Sequence, residues 1–174
     1  LSTNIMSITD GQIIFDLGFF RKGIRPAVNA GLSVSRVGGQ AQTKRQKQLS
    51  TALFKALAKY HQAEEFSHFS TQLSDETRID LNRGKHLYEA LQQPPSQLLN
   101  LTEPQILLEV IMNNETDLAI DVAGIKSVLS KRALEVKTEE DFDRIEAELT
   151  TEFRAQPLEE VEQTAKNATD STEK

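Results

Sequence analysis

The periodicity of the chain changes at Gln40. Before it, short apolar runs are punctuated by glycine and proline. After it, Leu49, Ala52, Leu53, Ala56, Leu57 and Tyr60 recur at i, i+3, i+4, i+7, i+8 and i+11. That spacing lays one apolar stripe along a helix and leaves Lys55 and Lys59 facing water. Such a stripe has to be buried against other elements, so the second half of the chain is constrained to be a packed helical layer. Glycine thins out beyond Gly39, and the change reads as a domain boundary at about 42/43.

Four more helices follow from the same reading. One is predicted from a Ser74 cap, with Asp75 and Glu76 in its first turn and Leu81, Gly84, Tyr88 and Leu91 inward, until Pro94-Pro95 stops it. Thr102-Glu103-Pro104-Gln105 reads as a capping box opening the next, which buries Ile106, Leu107, Val110 and Ile111 and ends near Asn113-Asn114. Another runs from Asp117 or Leu118 to Leu134 with Ile125, Val128 and Leu129 inward. The last takes Thr138 as its cap, with Asp141 three residues on and Phe142, Ile145, Leu149 and Phe153 as its stripe. Five helices on short connections predict an antiparallel bundle over 43–156, because short loops make neighbours reverse direction. Residues 157–174 carry Glu159, Glu160, Glu162, Asp170 and Glu173 against Lys166 and Lys174, and read as a disordered acidic tail.

The first 42 residues have a different character. Ile5 to Ile8 is a short apolar strand, Thr9-Asp10-Gly11 a turn, and Gln12 to Leu17 a second strand carrying Ile13, Ile14 and Phe15. Two strands alone do not make a stable sheet, so this part reads as the end of a larger sheet whose other strands precede Leu1. A Gly-x-x-x-x-Gly-Lys-[Ser/Thr] phosphate loop does not occur in these residues.

Several function classes are excluded. With a formal net charge of -6 the chain lacks the basic surface that nucleic acid requires. It has no cysteine, hence neither a disulfide nor a Cys-based zinc site. His61 and His68 are seven residues apart on a predicted helix and lack a third ligand. The pairs Glu64-Glu65 and Glu139-Glu140 are adjacent and so point to different faces, which is poor geometry for acid–base work. Lys44, Arg45 and Lys47 read as a solvated face. Cations at a helix N-terminus oppose the macrodipole, which leaves room for an acidic neighbour across a subunit contact. The apolar runs fall far short of the roughly 20 residues a membrane span needs.

One run points to chemistry. Arg36 is followed by Val37, Gly38 and Gly39, where backbone can pass close to a ligand, and its forked, permanently charged guanidinium suits phosphate oxygens. Ser33 and Ser35 read as residues that hold the loop in shape, since neither has the His-Asp pair a nucleophile needs. Pro26, Asn29, Ser33, Ser35 and Arg36 resemble the alpha/beta signature of rotary ATPases, Pro-x-x-Asn-x-x-x-Ser-x-Ser-Arg. Ser7-Ile8-Thr9-Asp10-Gly11-Gln12 and Gly38-Gly39-Gln40-Ala41-Gln42-Thr43-Lys44 are similar to the alpha subunits of the F-type branch. The beta subunits fit less well, because their Asp-Glu-Leu-Ser-Glu-Glu-Asp loop is not found.

The resemblance implies an α/β-plus-α architecture, in which 1–42 are the C-terminal strands of a RecA-like P-loop NTPase domain and 43–156 the helical bundle that follows. It implies a regulatory, non-catalytic alpha subunit of the F1 sector of a proton-translocating ATP synthase, which makes ATP from ADP and phosphate using a proton gradient. In that family the residue matching Arg36 is an arginine finger on the gamma-phosphate in the neighbouring beta subunit, and the one matching Ser7 lies near the same phosphate. Phe20, Arg25, Pro26 and Gln93 match positions around the adenine of the subunit's own magnesium-bound ATP or ADP. Pro95 departs from the family, which commonly has glutamine there. The implied partners are beta, gamma and delta subunits in an alternating alpha3beta3 hexamer. That hexamer is held at the cytoplasmic side of a bacterial inner membrane, or at a chloroplast thylakoid or mitochondrial inner membrane. Without its phosphate loop this stretch is not expected to be catalytic alone, and no metal site of its own is expected. Two alternatives stand beside this reading. One is a flagellar or secretion export ATPase, where aspartate usually replaces Asn29. The other is a free-standing helical interaction module.

Overall fold

A computed structural model describes residues 8–67, 74–114 and 120–154. Two short strands, β1 (Gly11–Gln12) and β2 (Val34–Ser35), pair antiparallel with Gly11 opposite Ser35 and Gln12 opposite Val34. The helices among the described residues are α1 (Leu17–Arg21), α2 (Gly38–Ala41), α3 (Lys44–Ser67), α4 (Asp75–Leu91), α5 (Thr102–Asn113), α6 (Val122–Ala133) and α7 (Glu139–Glu152). The expected strand at Ile5 to Ile8 and the acidic tail at 157–174 lie outside the described residues, except for Ile8 itself.

The expected strand from Gln12 to Leu17 is cut short. Pairing ends at Gln12, Phe15 forms a single bridge to Val28, and the chain turns into α1 at Leu17. Asp16 causes the turn, because its carboxylate accepts the Gly18 N–H at 2.7 Å, the action of an N-cap.

Caps set the other helix starts. Thr43 and Gln46 bond reciprocally at the head of α3, the Thr43 N–H to Gln46 Oε1 at 3.0 Å and the Gln46 N–H to Thr43 Oγ1 at 3.2 Å. Ser74 caps α4, and Thr138 with Asp141 forms the capping box of α7, both as read from sequence. The box expected at Thr102 is displaced. Thr102 already lies inside α5, and Asn100 Oδ1 accepts the N–H groups of Thr102 and Glu103 at 2.9 and 3.0 Å. Asparagine reaches backbone two and three residues on, so it starts the helix first. The expected helix start at Asp117 or Leu118 lies outside the described residues; the described helix begins at Val122, where Asp121 accepts the Gly124 N–H at 2.8 Å. Ile120 is instead bridged to Arg154.

α5 is the centre of the helical part, packed against α3, α4, α6 and α7. Its Ile106, Leu107, Val110 and Ile111 are all buried, as the sequence predicts, with Ile125 and Leu129 of α6 and Phe142, Ile145 and Leu149 of α7. On α4 the expected stripe is only half right. Gly84 and Tyr88 meet α3, but the residues that join the core are Leu87 and Ala90, while Leu91 is 37% exposed. A helix held by two neighbours buries two faces, and a single-stripe reading finds one of them.

Arg45 locks three helices together. Its Nε lies 2.9 Å from both Glu109 oxygens on α5, and its Nη1 reaches Glu139 at 2.9 Å and Asp143 at 2.7 Å on α7. The guanidinium also stacks 3.9 Å above the Phe142 ring. The Glu109 hydrogen bonds above all push its pKa up. The acidic neighbour of the basic Lys44-Arg45-Lys47 group is therefore inside the chain, while Lys44 and Lys47 stay exposed.

An aromatic joint ties α1 to the helical part. The Phe19 ring stacks on His61 of α3 (6.2 Å) and meets Tyr88 of α4 edge-on (5.8 Å), and the Tyr88 hydroxyl hydrogen-bonds His61 Nε2 at 2.8 Å. Lys22 Nζ pairs with Glu64 at 3.0 Å alongside. Burial works to raise the Glu64 carboxyl, but Lys22 and His61 outweigh it and hold the group below its usual range.

A Cβ on Gly84 would lie 2.1 Å from the Tyr60 ring, so Gly84→Ala is expected to lower the unfolding free energy by about 1–3 kcal/mol. Gly39→Ala, with open space around it, leaves the denaturant midpoint nearly unchanged. Arg45→Met strands the buried Glu109 carboxylate and is expected to cost about 3 kcal/mol in chemical denaturation. Arg45→Met/Glu109→Leu recovers most of that loss; a double variant as unstable as the single would show that the packing of the arginine stem matters more than its charge. Burial first, then the nearby Tyr60 and Glu64, push the Tyr88 phenol up to about 12. Its contribution to stability is full below the unfolded value near 10 and is lost as pH rises toward 12. Phenolate absorbance is expected to develop in that window and to lose its late phase in Tyr88→Phe; a folded Tyr88 titrating near 10 would contradict the buried geometry.

Candidate functional site

The signature loop is held by its own polar side chains. Asn29 Nδ2 donates to Asp16 at 3.0 Å, and its Oδ1 accepts the Leu32 N–H at 3.1 Å. These contacts, Asn29 first and then the Gly18 N–H, hold the Asp16 carboxyl below its usual range. Ser33 Oγ donates to the Asn29 carbonyl at 2.6 Å and accepts the Ile14 N–H at 3.0 Å, clamping the loop to the outgoing strand segment. Ser35 Oγ accepts the Gly38 N–H at 2.9 Å, and a Cβ at Gly38 would come within 2.6 Å of that oxygen, so a larger residue there would displace the Ser35 hydroxyl from this bond. Asn29, Ser33 and Ser35 thus act on backbone, the loop-holding role read for the two serines.

Arg36 follows directly on this scaffold. Its backbone N–H donates to the Asp10 carbonyl at 2.8 Å. Its side chain is exposed and makes no hydrogen bond or ion pair among the described residues. The result is a permanent cation on an anchored backbone, free to meet an anion. Ser7 lies outside the described residues.

The structure brings Phe20, Arg25 and Gln93 together across 73 residues of sequence. The Arg25 guanidinium stacks 3.7 Å over the Phe20 ring, and its Nη1 donates to the Phe20 and Ile24 carbonyls at 2.8 and 2.9 Å. The Gln93 N–H donates to the Arg25 carbonyl at 2.9 Å, and the Gln93 side-chain amide donates to the Gln97 carbonyl. Pro26 is exposed beside Arg25. This gives a guanidinium stacked on an aromatic ring, with the backbone of Gln93 bonded beside it, a flat cationic face suited to a planar heterocycle.

Sequence reasoning missed what couples these groups to the helices. His61 drew notice only as an incomplete metal ligand; it is bonded to Tyr88 and faces Glu64 Oε2 at 3.7 Å. No group of three ligating side chains gathers among the described residues. A cleft of about 480 Å³ runs between the loop and the helices, with Phe19, Asn29, Leu32, Phe54, His61 and Tyr88 in its walls. The adjacent aromatics Phe19-Phe20 were the available signal, since one ring of such a pair on a short helix faces inward and the other outward.

Known proteins match this chain closely. A family model described as ATP synthase alpha/beta chain, C terminal domain, matches residues 42–174. The ATP synthase subunit alpha of Bordetella pertussis (strain Tohama I) is 47% identical over 123 residues, 71% of this chain and 24% of that protein. The ATP synthase subunit alpha of Buchnera aphidicola subsp. Acyrthosiphon pisum (strain Tuc7) is 47% identical over 115 residues, 66% of this chain and 22% of that protein. The chain spans about a quarter of the length of the curated relatives it matches. Its helical part and its relatives agree: the chain belongs to the C-terminal domain family of ATP synthase alpha and beta chains, as a C-terminal stretch of the alpha type.

Proposed function

We propose that this chain is the C-terminal part of a regulatory alpha subunit in the F1 sector of a proton-translocating ATP synthase. Residues 1–42 are the last portion of its RecA-like domain, 43–156 its helical bundle and 157–174 an acidic tail. The subunit alternates with beta subunits in a hexamer around gamma, contacts delta, and sits peripherally at a bacterial inner membrane. Among the described residues no helix is long and apolar enough to cross one, which fits attachment through partners.

The observation that carries the reading is Arg36. The signature side chains Asn29, Ser33 and Ser35 are used up in holding the loop, while the Arg36 guanidinium is left exposed and uncommitted among the described residues. A fixed cation of this kind suits the charge that builds on a transferred phosphoryl group, which is how an arginine finger works. It reaches the gamma-phosphate in the neighbouring beta subunit, with Ser7 beside it. The second group, Phe20, Arg25, Pro26 and Gln93, lies against the adenine of the subunit's own magnesium-bound nucleotide, whose phosphates are held by a phosphate loop elsewhere in the intact subunit.

The test is Arg36→Ala in the full-length subunit, reconstituted with its partners. Assembly is expected to be retained and cooperative ATP turnover to fall by about 10³-fold or more. Near-normal turnover in an assembled complex would refute the arginine-finger role.

A further inference from the structure

We infer that Lys126, on α6 and distant in sequence from both candidate groups, is a positioning residue for adenine recognition at the Phe20–Arg25–Gln93 group; the inference rests on the proposed adenine contact of that group.

The argument starts at the end of α4. The last carbonyls of a helix have no intrahelical partner and carry the negative end of its dipole, so they call for a cation. α4 has no basic residue in its own last turn. Lys126 supplies one from another helix, its Nζ donating to the Glu89 carbonyl at 2.5 Å and to the Gln92 carbonyl at 2.8 Å. The ammonium is partly buried, and burial is the main cause that lowers its pKa, with Glu89 opposing. A desolvated ammonium gains more from two carbonyls than an exposed one, and the chain end it holds is correspondingly better fixed.

What it fixes is the residue before Gln93. The Gln92 carbonyl is bonded to Lys126, and the next N–H, that of Gln93, donates to the Arg25 carbonyl. Arg25 in turn lies over Phe20. Lys126, Gln92, Gln93, Arg25 and Phe20 therefore form one continuous chain of contacts from α6 to α1. With the Gln93 side-chain N–H engaged by Gln97, its Oε1 is the atom left to accept from a purine's exocyclic amine. Its direction depends on where the end of α4 is held. Lys126 touches no nucleotide and acts through Gln93.

Binding to the intact full-length subunit separates the contributions. Magnesium-ATP reports base and phosphate contacts together, and magnesium-tripolyphosphate reports phosphate contacts alone. Lys126→Met is expected to weaken ATP binding about tenfold, the scale of one charge-assisted hydrogen bond, and to leave tripolyphosphate binding unchanged. Lys126→Arg, which keeps a cationic donor, restores most of the ATP affinity. Equal weakening of both ligands by Lys126→Met would mean general structural damage and overturn the inference. Gln93→Ala is measured in parallel. If Gln93→Ala weakens ATP and Lys126→Met does not, the inference fails while the adenine reading stands. If Gln93→Ala leaves ATP binding unchanged, the adenine reading itself fails and takes the inference with it.

Discussion

The ion pair between Arg45 and Glu109 is the contact on which the rest of the architecture turns. α5 is buried on nearly every side, yet carries a carboxylate with only 8% of the residue exposed. A carboxylate removed from water costs several kcal/mol unless its oxygens are matched. The planar fork of Arg45 meets both, as a lysine could not. Glu139 and Asp143 take up the remaining donors and Phe142 the flat face. Because Arg45 stands in the first turn of α3, fixing it on α5 and α7 also fixes the direction in which α3 leaves. Tyr60 and His61, four turns along the same helix, are thereby placed for the joint with α1, and the loop that ends at Val37 is held only a few residues upstream.

Within that frame two arginines have opposite fates. Arg25 is held in place by its surroundings, its guanidinium lying on Phe20 and bonded to two carbonyls. Arg36 is not. Asn29, Ser33 and Ser35 bind backbone, which lowers the freedom of the loop before any ligand arrives and leaves the cation at its end exposed. A loop ordered in advance has less entropy to lose when its arginine meets an anion, and that is the physical value of a signature rich in small polar residues.

Much of this was legible in the sequence where one local signal had no competitor. The stripe from Leu49 to Tyr60, the Ser74 cap, the apolar run of α5 and the Thr138–Asp141 box all lie where periodicity and capping chemistry place them. The misreadings have a common cause. At Thr102 a plausible start was outbid by a better cap nearby, Asn100. At Leu91 the helix had two partners, and a single stripe could not say that Leu87 faced the core. The site was legible as a list and illegible as an arrangement. Arg36, Phe20, Arg25 and Gln93 could be named from the motif, but nothing local in the sequence says that the Gln93 N–H meets the Arg25 carbonyl, because that bond depends on where α4 ends.

The two candidate groups are also mechanically distinct. Arg36 rests on the N-terminal segment, through the Asp10 carbonyl and the β1–β2 pair. The Phe20–Arg25–Gln93 group spans the joint, with two members on the segment and one at the end of α4. The joint is made of ring faces, one ion pair and a few hydrogen bonds rather than deep apolar burial; Phe15 and Val34 of the segment remain 72% and 52% exposed. Ring faces and surface ion pairs tolerate small displacements that a close-packed core does not. A shift of the helical part against α1 would therefore change the spacing of Gln93 and Arg25 first, while the backbone anchors of Arg36 stayed intact. The proposed adenine and phosphate contacts would respond to different motions of the same chain, because only one of the two groups is built across the joint.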